Sequence, residues 1–149
     1  MTDCVLCRTD GGKLLWQNDR LRVIDACDPD YPAFTRVIWK AHVAEMTDLD
    51  ASQQQDLMRT VFLVEKVQRD ILQPDKINLA EFGNMVPHLH WHIIPRWHDD
   101  MHFPQPVWAM PPEASDVGKL AQANRLKETS ARLGQYHQVL TETLSRTSL

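Results

Sequence analysis

The chain has 149 residues, a formal net charge of −4, and a composition of 43% hydrophobic and 24% charged residues. These values are typical of one globular domain with a well-formed core. The acidic balance argues against a general binder of nucleic acid or of anionic membranes, and the chain shows no apolar run of signal-core or membrane-span length.

The first feature along the chain is the pair Cys4 and Cys7, whose Cys-x-x-Cys spacing lets two thiolates hold one metal ion. The pair alone is a weak signal, because reduced surface thiols fit it equally well. The chain has only three cysteines, so we expect a cytoplasmic location, where free thiols or a metal site are favoured over disulfides. Cys27 lies outside the pair and is expected to be an ordinary thiol.

The region after the cysteines predicts three short strands and then one long helix. The strands cover Leu14–Trp16, Leu21–Asp25 and Arg36–Lys40. Helix-capping residues occur between Thr47 and Asp50, and apolar residues recur at helical spacing from about Ser52 to Leu72. Pro74 cannot continue a helix, so we expect the helix to end before it.

Two further strands and a second helix are predicted in the rest of the chain. The strands cover Lys76–Ala80 and His88–Ile94, and Pro95 is expected to end the second one. A Pro-rich segment follows, and a broken helical pattern begins near Ser115. This order predicts an α+β fold with an antiparallel sheet, a long helix packed on the sheet, and an additional C-terminal helix.

The strand His88–Ile94 is the most informative part of the chain, because its three histidines alternate with bulky apolar residues. The histidines are His88, His90 and His92. Alternation places all three imidazoles on one face of a strand, and imidazole suits nucleophilic, acid/base or metal chemistry near neutral pH. The residues alone leave two interpretations open: a metal site on this face, or nucleophilic catalysis by the middle histidine.

The segment Gly83–Arg96 (GNMVPHLHWHIIPR) resembles the signature of the histidine triad (HIT) family, which is His-x-His-x-His followed by two apolar residues. In the family, Gly-Gln-x-Val usually precedes the triad and Pro-Arg follows it. The resemblance covers roughly residues 4 to 97 and implies a HIT-like fold and a homodimer. We therefore expect a HIT domain over residues 1–110. A connector and helix over residues 111–149 are expected to pack on this domain or on the dimer partner.

The resemblance implies a nucleotide hydrolase or nucleotidyl transferase that acts through a covalent nucleotidyl-histidine. By position, His90 corresponds to the nucleophile, and His92 to a residue that contacts the phosphate oxygens or the bridging atom. Asp25 stands at the ribose-binding position, and Asn78 and Asn84 stand where the family has phosphate-binding amides. From sequence alone, Asp25 equally fits the start of a loop, and both amides fit turn positions. The expected partner is a purine nucleotide substrate, such as a dinucleoside polyphosphate or a nucleoside phosphoramidate.

The resemblance also implies a zinc site. Zinc-containing relatives place a ligand histidine where His42 stands, and they use the first triad histidine, here His88. With Cys4 and Cys7, these residues would form a closed Cys₂His₂ site, whose role would be structural because no coordination position stays open.

Two departures from the family pattern bear on turnover. Met85 stands where many active members carry Ser or Thr, and the loop between Asn78 and Asn84 is short. The segment Ala33–Arg36 also lacks the common Gly-His. Two alternatives therefore stay open: a nucleotide-binding regulatory protein with little turnover, and a metal-dependent oxidoreductase that uses the histidine face.

Two histidines and two tryptophans follow the triad strand. His98 and His102 are expected to be solvated loop residues, because they stand among aspartates past Pro95. Trp97 and Trp108 are candidates to cover the nucleotide site.

Overall fold

The computed structural model describes residues 3–147. Residues 1–2 of the predicted domain over 1–110, and residues 148–149 of the predicted connector and helix over 111–149, lie outside the described residues. Within the described range, five antiparallel strands form one sheet in the order β1-β2-β3-β5-β4. The strands are β1 (Lys13–Gln17), β2 (Leu21–Asp25), β3 (Thr35–Trp39), β4 (Lys76–Ala80) and β5 (His90–Arg96). The helices are α1 (Val5–Arg8), α2 (Ala51–Leu72) and α3 (Asp116–Thr147), and a 3-10 turn covers Met46–Asp48. The predicted α+β fold is confirmed.

The sheet has two different faces, because successive side chains of a strand point in opposite directions. Val23, Val37 and Ile93 are fully buried on one face, in the main core with the apolar stripe of α2. The opposite face carries the triad histidines of β5, and we call it the histidine face. Arg36 of β3 pairs directly with His92 in the register of the sheet, so both side chains lie on this face.

The ends of helix α2 are set by a side-chain cap at its N-terminus and by a left-handed residue followed by proline at its C-terminus. The Asp50 side chain accepts a hydrogen bond from the Gln53 backbone nitrogen at 2.8 Å, and the Gln53 side chain accepts one from the Asp50 nitrogen at 2.9 Å. This reciprocal cap satisfies two amide groups that would otherwise lack partners. At the other end, Gln73 adopts a left-handed conformation, with φ 52°, immediately before Pro74.

Helix α3 packs on α2 and on the sheet of its own chain. Tyr136, Leu140 and Leu144 are buried in the main core. The Tyr136 hydroxyl is 2.7 Å from the Thr35 hydroxyl and accepts a hydrogen bond from Gln68 at 3.1 Å, which joins α3 to β3 and α2. None of the helices in residues 3–147 is long and apolar enough to cross a membrane.

The triad strand is displaced by two residues from its predicted bounds. His88 lies just before β5, and its backbone nitrogen donates to the Val86 carbonyl at 2.8 Å. Pro95 lies inside β5, so the expectation that it ends the strand was wrong. Pro95 pairs with Ile77 of β4, while β3 begins at Thr35, opposite Ile93. No residue of β3 therefore stands opposite Pro95. Proline has no backbone N–H to donate, but on this side of β5 there is no β3 carbonyl that would need one.

Candidate active site and metal centre

His90 is held in one tautomer by the backbone. Its Nδ1 lies 2.5 Å from the carbonyl oxygen of His88. A carbonyl oxygen only accepts hydrogen bonds, so Nδ1 carries the proton, and the neutral ring has its lone pair on Nε2. The side chain is nearly buried, with 9% of the residue exposed. A fixed imidazole with a free Nε2 lone pair is what nucleophilic attack requires.

His92 is held in the opposite tautomer by a side chain. Arg36 Nε donates to His92 Nδ1 at 3.3 Å, so in the neutral ring the proton lies on Nε2. The pKa of His92 is lowered to about 3, mainly by burial and in addition by the neighbouring His90 and Arg36. The His90 and His92 ring centroids are 4.9 Å apart. The pair therefore combines a lone pair on the first ring with an N–H donor on the second.

Three aromatic side chains surround His92, and we call them the aromatic wall. They are Phe34, Phe82 and Trp108, with ring centroids 5.4, 6.3 and 5.6 Å from the His92 ring. Phe82 and Trp108 meet edge to face at 4.7 Å, although each is about half exposed. Trp108 thus lies beside the site, as expected. Trp97 is instead buried in the main core.

Four residues form a cluster with the geometry of a metal centre: Cys4, Cys7, His42 and His88. Their potential ligand atoms all lie within 4.8 Å of one another. Cys7 Sγ is 3.3 Å from His42 Nδ1, Cys4 Sγ is 3.5 Å from His88 Nδ1, and the two Nδ1 atoms are 3.2 Å apart. Tetrahedral zinc with bonds of about 2.0–2.3 Å places its ligand atoms roughly 3.3–3.8 Å apart. The residues present therefore fit zinc.

Contacts outside the cluster orient His88, favour its neutral form and hold the cysteine pair in position. His88 Nε2 donates to the Trp39 carbonyl at 2.6 Å, which leaves the Nδ1 lone pair facing the cysteines. Burial lowers the pKa of His88 and so favours the neutral ring that a metal needs. Leu6 of α1 packs on Ile24 and Ile38 of the sheet. This packing holds the cysteine pair against the histidine face.

The two asparagines predicted for the site lie in different environments. Asn78 pairs with Ile94 and so lies on the histidine face, where its Oδ1 accepts a hydrogen bond from Arg96 at 2.8 Å. Its amide nitrogen has no protein partner among residues 3–147, so it stays available as a donor. Asn84 lies in an exposed turn before the triad.

Asp25 is not brought together with His90 and His92. It pairs with Thr35, which pairs with Ile93, so Asp25 lies on the face of the sheet that packs against the helices. Its Oδ1 accepts from the Cys27 backbone nitrogen at 2.8 Å, and its Oδ2 lies 3.8 Å from Nε2 of His137 on α3.

Two residues of this region, Arg36 and Glu81, were not predicted from the sequence as parts of the site. Arg36 lies two residues before Ile38, the partner of His90, so strand periodicity would have placed it on the histidine face. The Oε1 atom of Glu81 is buried, without a hydrogen-bond partner in the described part of the chain. The pKa of Glu81 is raised, mainly by burial, and the nearby His90 offsets only part of this rise. No sequence pattern marks Glu81, because its position depends on the fold of a short loop.

His102 is also placed differently from its expectation. It is buried, and its Nδ1 lies 2.7 Å from the Tyr31 hydroxyl. His98 is exposed, as expected, with 74% of its side chain accessible.

Comparisons with known proteins identify the family that the chain resembles. A family model for the HIT domain matches residues 10–99. The chain is 38% identical over 60 residues to bis(5'-adenosyl)-triphosphatase of Saccharomyces cerevisiae (strain YJM789), a match that covers 37% of this chain and 29% of that protein. The chain therefore spans less than a third of that relative's length.

Solved structures extend the similarity over most of the chain. A histidine triad protein from Bradyrhizobium japonicum is 30% identical, with a TM-score of 0.63, over 83% of this chain and 92% of the other. One from Marinobacter aquaeolei VT8 is 26% identical, with a TM-score of 0.63, over 85% and 92%. A Zn-bound histidine triad family protein from Mycobacterium smegmatis shares the fold at 22% identity, with a TM-score of 0.56, over 87% and 97%.

Proposed function

This chain belongs to the HIT family, and we propose that it is a nucleotide hydrolase or nucleotidyl transferase that acts through His90. One observation carries the proposal: the hydrogen bond from His90 Nδ1 to the His88 carbonyl, which leaves the Nε2 lone pair free for attack. His92 supports it as a neutral donor 4.9 Å away, measured between ring centroids.

The proposed reaction has two displacement steps at phosphorus. His90 Nε2 attacks the α-phosphorus, a nitrogen–phosphorus bond forms, and the leaving group departs with the electrons of its broken bond. Water or another acceptor then attacks the same phosphorus and restores His90, and the acceptor's proton is released. In both steps, the Nε2–H of His92 donates to the phosphate oxygens or the bridging atom, where negative charge develops.

The proposed substrate is a purine nucleotide derivative. The yeast relative is named a bis(5'-adenosyl)-triphosphatase, which favours adenine dinucleoside polyphosphates as candidates. The free amide groups of Asn78 and Asn84 are proposed phosphate donors. The ribose-binding role of Asp25 stays a prediction, because its carboxylate contacts Cys27 and His137. The homodimer, the cytoplasmic location and the division near residue 110 also stay predictions.

We further propose that Cys4, Cys7, His42 and His88 hold a structural zinc ion. Zinc would supply four bonds that fasten the N-terminal segment to the residue that opens the triad. The support is the close approach of the four ligand atoms, which all lie within 4.8 Å of one another. Because all four coordination positions are taken by protein, no step of the reaction is assigned to the metal.

The proposed function is tested with diadenosine triphosphate and adenosine 5'-phosphoramidate. We expect the wild type to release AMP from at least one of them. Intact-mass measurement after rapid acid quenching should show an AMP adduct, and His90→Ala should abolish both the adduct and the release. His98→Ala, at an exposed histidine outside the site, is the matched control.

Two results would contradict the proposal. Turnover that persists in His90→Ala would remove the nucleophile from the mechanism. Tight binding of AMP by a wild type that releases no product would favour the nucleotide-binding regulator.

A further inference from the structure

Arg36 is a half-buried cation on the histidine face whose positive charge is not neutralised locally. It stands directly opposite His92 in the register of β3 and β5, and its Nε donates to His92 Nδ1 at 3.3 Å. Its guanidinium lies 5.0 Å from the centroid of the Phe34 ring. No carboxylate of residues 3–147 forms an ion pair with it, and Asp28 acts on it only through its field.

The two other arginines on the strands of this face differ from Arg36 in this respect. The Arg96 guanidinium is paired with Asp100 at 2.8 Å and is 2% exposed. The Arg22 guanidinium donates to three backbone carbonyls, which belong to Leu6, Thr9 and Asp10. In Arg36, only Nε has a hydrogen-bond acceptor in the described chain, so both terminal nitrogens keep their donors for a ligand.

The position of Arg36 places its free N–H donors next to the site where we expect the leaving group of the substrate to lie. His90 and His92 lie on the same face of β5, two residues apart. On the neighbouring strand β3, Arg36 is paired with His92, whereas Ile38 is paired with His90. Arg36 therefore lies nearer to the His92 end of the site. A substrate with its α-phosphorus at His90 and its leaving group at His92 would extend toward Arg36. A guanidinium fork matches the oxygens of a phosphate in charge and in spacing.

We propose that Arg36 binds the phosphate group adjacent to the reacting phosphorus, and so makes the site selective for leaving groups that are phosphate anions. This inference rests on the proposed function and names its substrate class: nucleoside polyphosphates with an anhydride bond to be cleaved. A phosphoramidate, whose leaving group is an amine, places no anion at Arg36 and so makes no phosphate contact with it.

The test compares two substrates in four proteins. Values of kcat/KM for diadenosine triphosphate and for adenosine 5'-phosphoramidate are measured in the wild type, Arg36→Gln, Arg36→Lys and Arg59→Gln. Arg59 is the matched control, because its side chain is exposed on α2, with 56% accessible. Binding of ADP and of AMP is measured by calorimetry in the same proteins.

We expect Arg36→Gln to lower kcat/KM for the triphosphate by about tenfold to hundredfold, the loss expected for a charge-assisted hydrogen bond. The phosphoramidate should lose at least about tenfold less than the triphosphate, because for it only the hydrogen bond to His92 changes and no phosphate contact is lost. Arg36→Lys should recover part of the loss for the triphosphate because it keeps the charge. ADP binding should weaken in parallel, with AMP binding nearly unchanged.

Other outcomes overturn the inference in distinguishable ways. Equal losses for both substrates would mean that Arg36 acts only by orienting His92, and no loss for either would mean that it touches no substrate. A wild type that cleaves only the phosphoramidate would leave the proposed function standing and remove this selectivity. If neither substrate is cleaved, the proposed function fails, and the anion contact then stands only if Arg36→Gln abolishes a preference for ADP over AMP.

Discussion

The three triad histidines have the same side chain but different hydrogen-bond partners. The His88 ring donates from Nε2 to a backbone carbonyl, and the His90 ring donates from Nδ1 to another. The His92 ring accepts at Nδ1 from Arg36. As a result, the first ring directs a lone pair to the cysteines, the second has a free Nε2 lone pair, and the third offers an N–H. The partners, and not the motif itself, determine the chemistry open to each ring.

The substitution His92→Asn tests the role of His92 as a donor. The oxygen of the introduced amide can still accept from Arg36, but no donor remains at the position of Nε2–H. We expect kcat to fall by about hundredfold, as when one donor to a developing charge is removed. KM for the nucleotide should change little. Single-turnover formation of the His90 adduct provides the measurement, and a wild-type rate in His92→Asn would contradict the role.

At the scale of elements, α1 is the element that the proposed zinc would stabilise most. A helix of four residues is not stable alone, and Leu6 is its one buried side chain. Arg22 satisfies carbonyls of the α1 segment, and the proposed zinc would add two bonds through Cys4 and Cys7. The helix and the metal site are therefore expected to form and to be lost together.

Zinc removal provides the corresponding measurement. Metal analysis should find one zinc per chain in the wild type and in Cys27→Ser, whose thiol lies outside the cluster, and none in Cys4→Ser. A ligand present at about a thousand times its dissociation constant stabilises by roughly 4 kcal/mol. For a chain of this size, that amounts to about 8–16 °C in Tm. Zinc that remains bound in Cys4→Ser would contradict the Cys₂His₂ site and would favour a metal on the other histidines.

The success of the sequence-based predictions differs between elements for physical reasons. The strands and α2 follow from periods of 2 and 3.6 residues, which are local properties. The bounds of β5 depend on its neighbours: Pro95 is tolerated because β3 begins at Thr35. The burial of His102 depends on Tyr31, which lies 71 residues earlier. Contacts between distant parts of the chain leave no periodic trace in the sequence.

Helix α3 illustrates how one buried stripe holds a polar helix in place. Leu140 is fully buried, whereas Leu120 of the same helix is 63% exposed. We expect Leu140→Ala to lower the free energy of unfolding by about 2–5 kcal/mol, because it leaves a cavity in the core. Leu120→Ala should stay within about 0.5 kcal/mol of the wild type. Urea unfolding checks both values, and equal effects would contradict the packing of α3.

At the scale of the whole molecule, buried histidines make the stability depend on pH. Burial lowers the pKa of His92 to about 3, and burial also lowers the pKa of His137, although Asp25 opposes that shift. An unfolded histidine binds a proton below about pH 6.5. As the pH falls below this value, the unfolded chain takes up protons that the folded chain does not, and the free energy of unfolding decreases.

The contribution of His92 can be isolated from the rest of this dependence. In the wild type, its share of the stability should be complete above about pH 6.5 and should be lost progressively toward pH 3, where the folded ring is also protonated. His92→Asn has no proton to bind, so its free energy of unfolding should fall less steeply between pH 6.5 and 4. Leu120→Ala, which removes no titratable group at an exposed position of α3, should keep the wild-type slope. The proposed metal cluster is present in all three proteins, so any effect of the metal on the slope is the same in each. A wild-type slope in His92→Asn would contradict the prediction, because it would mean that His92 binds its proton equally well in the folded and the unfolded chain.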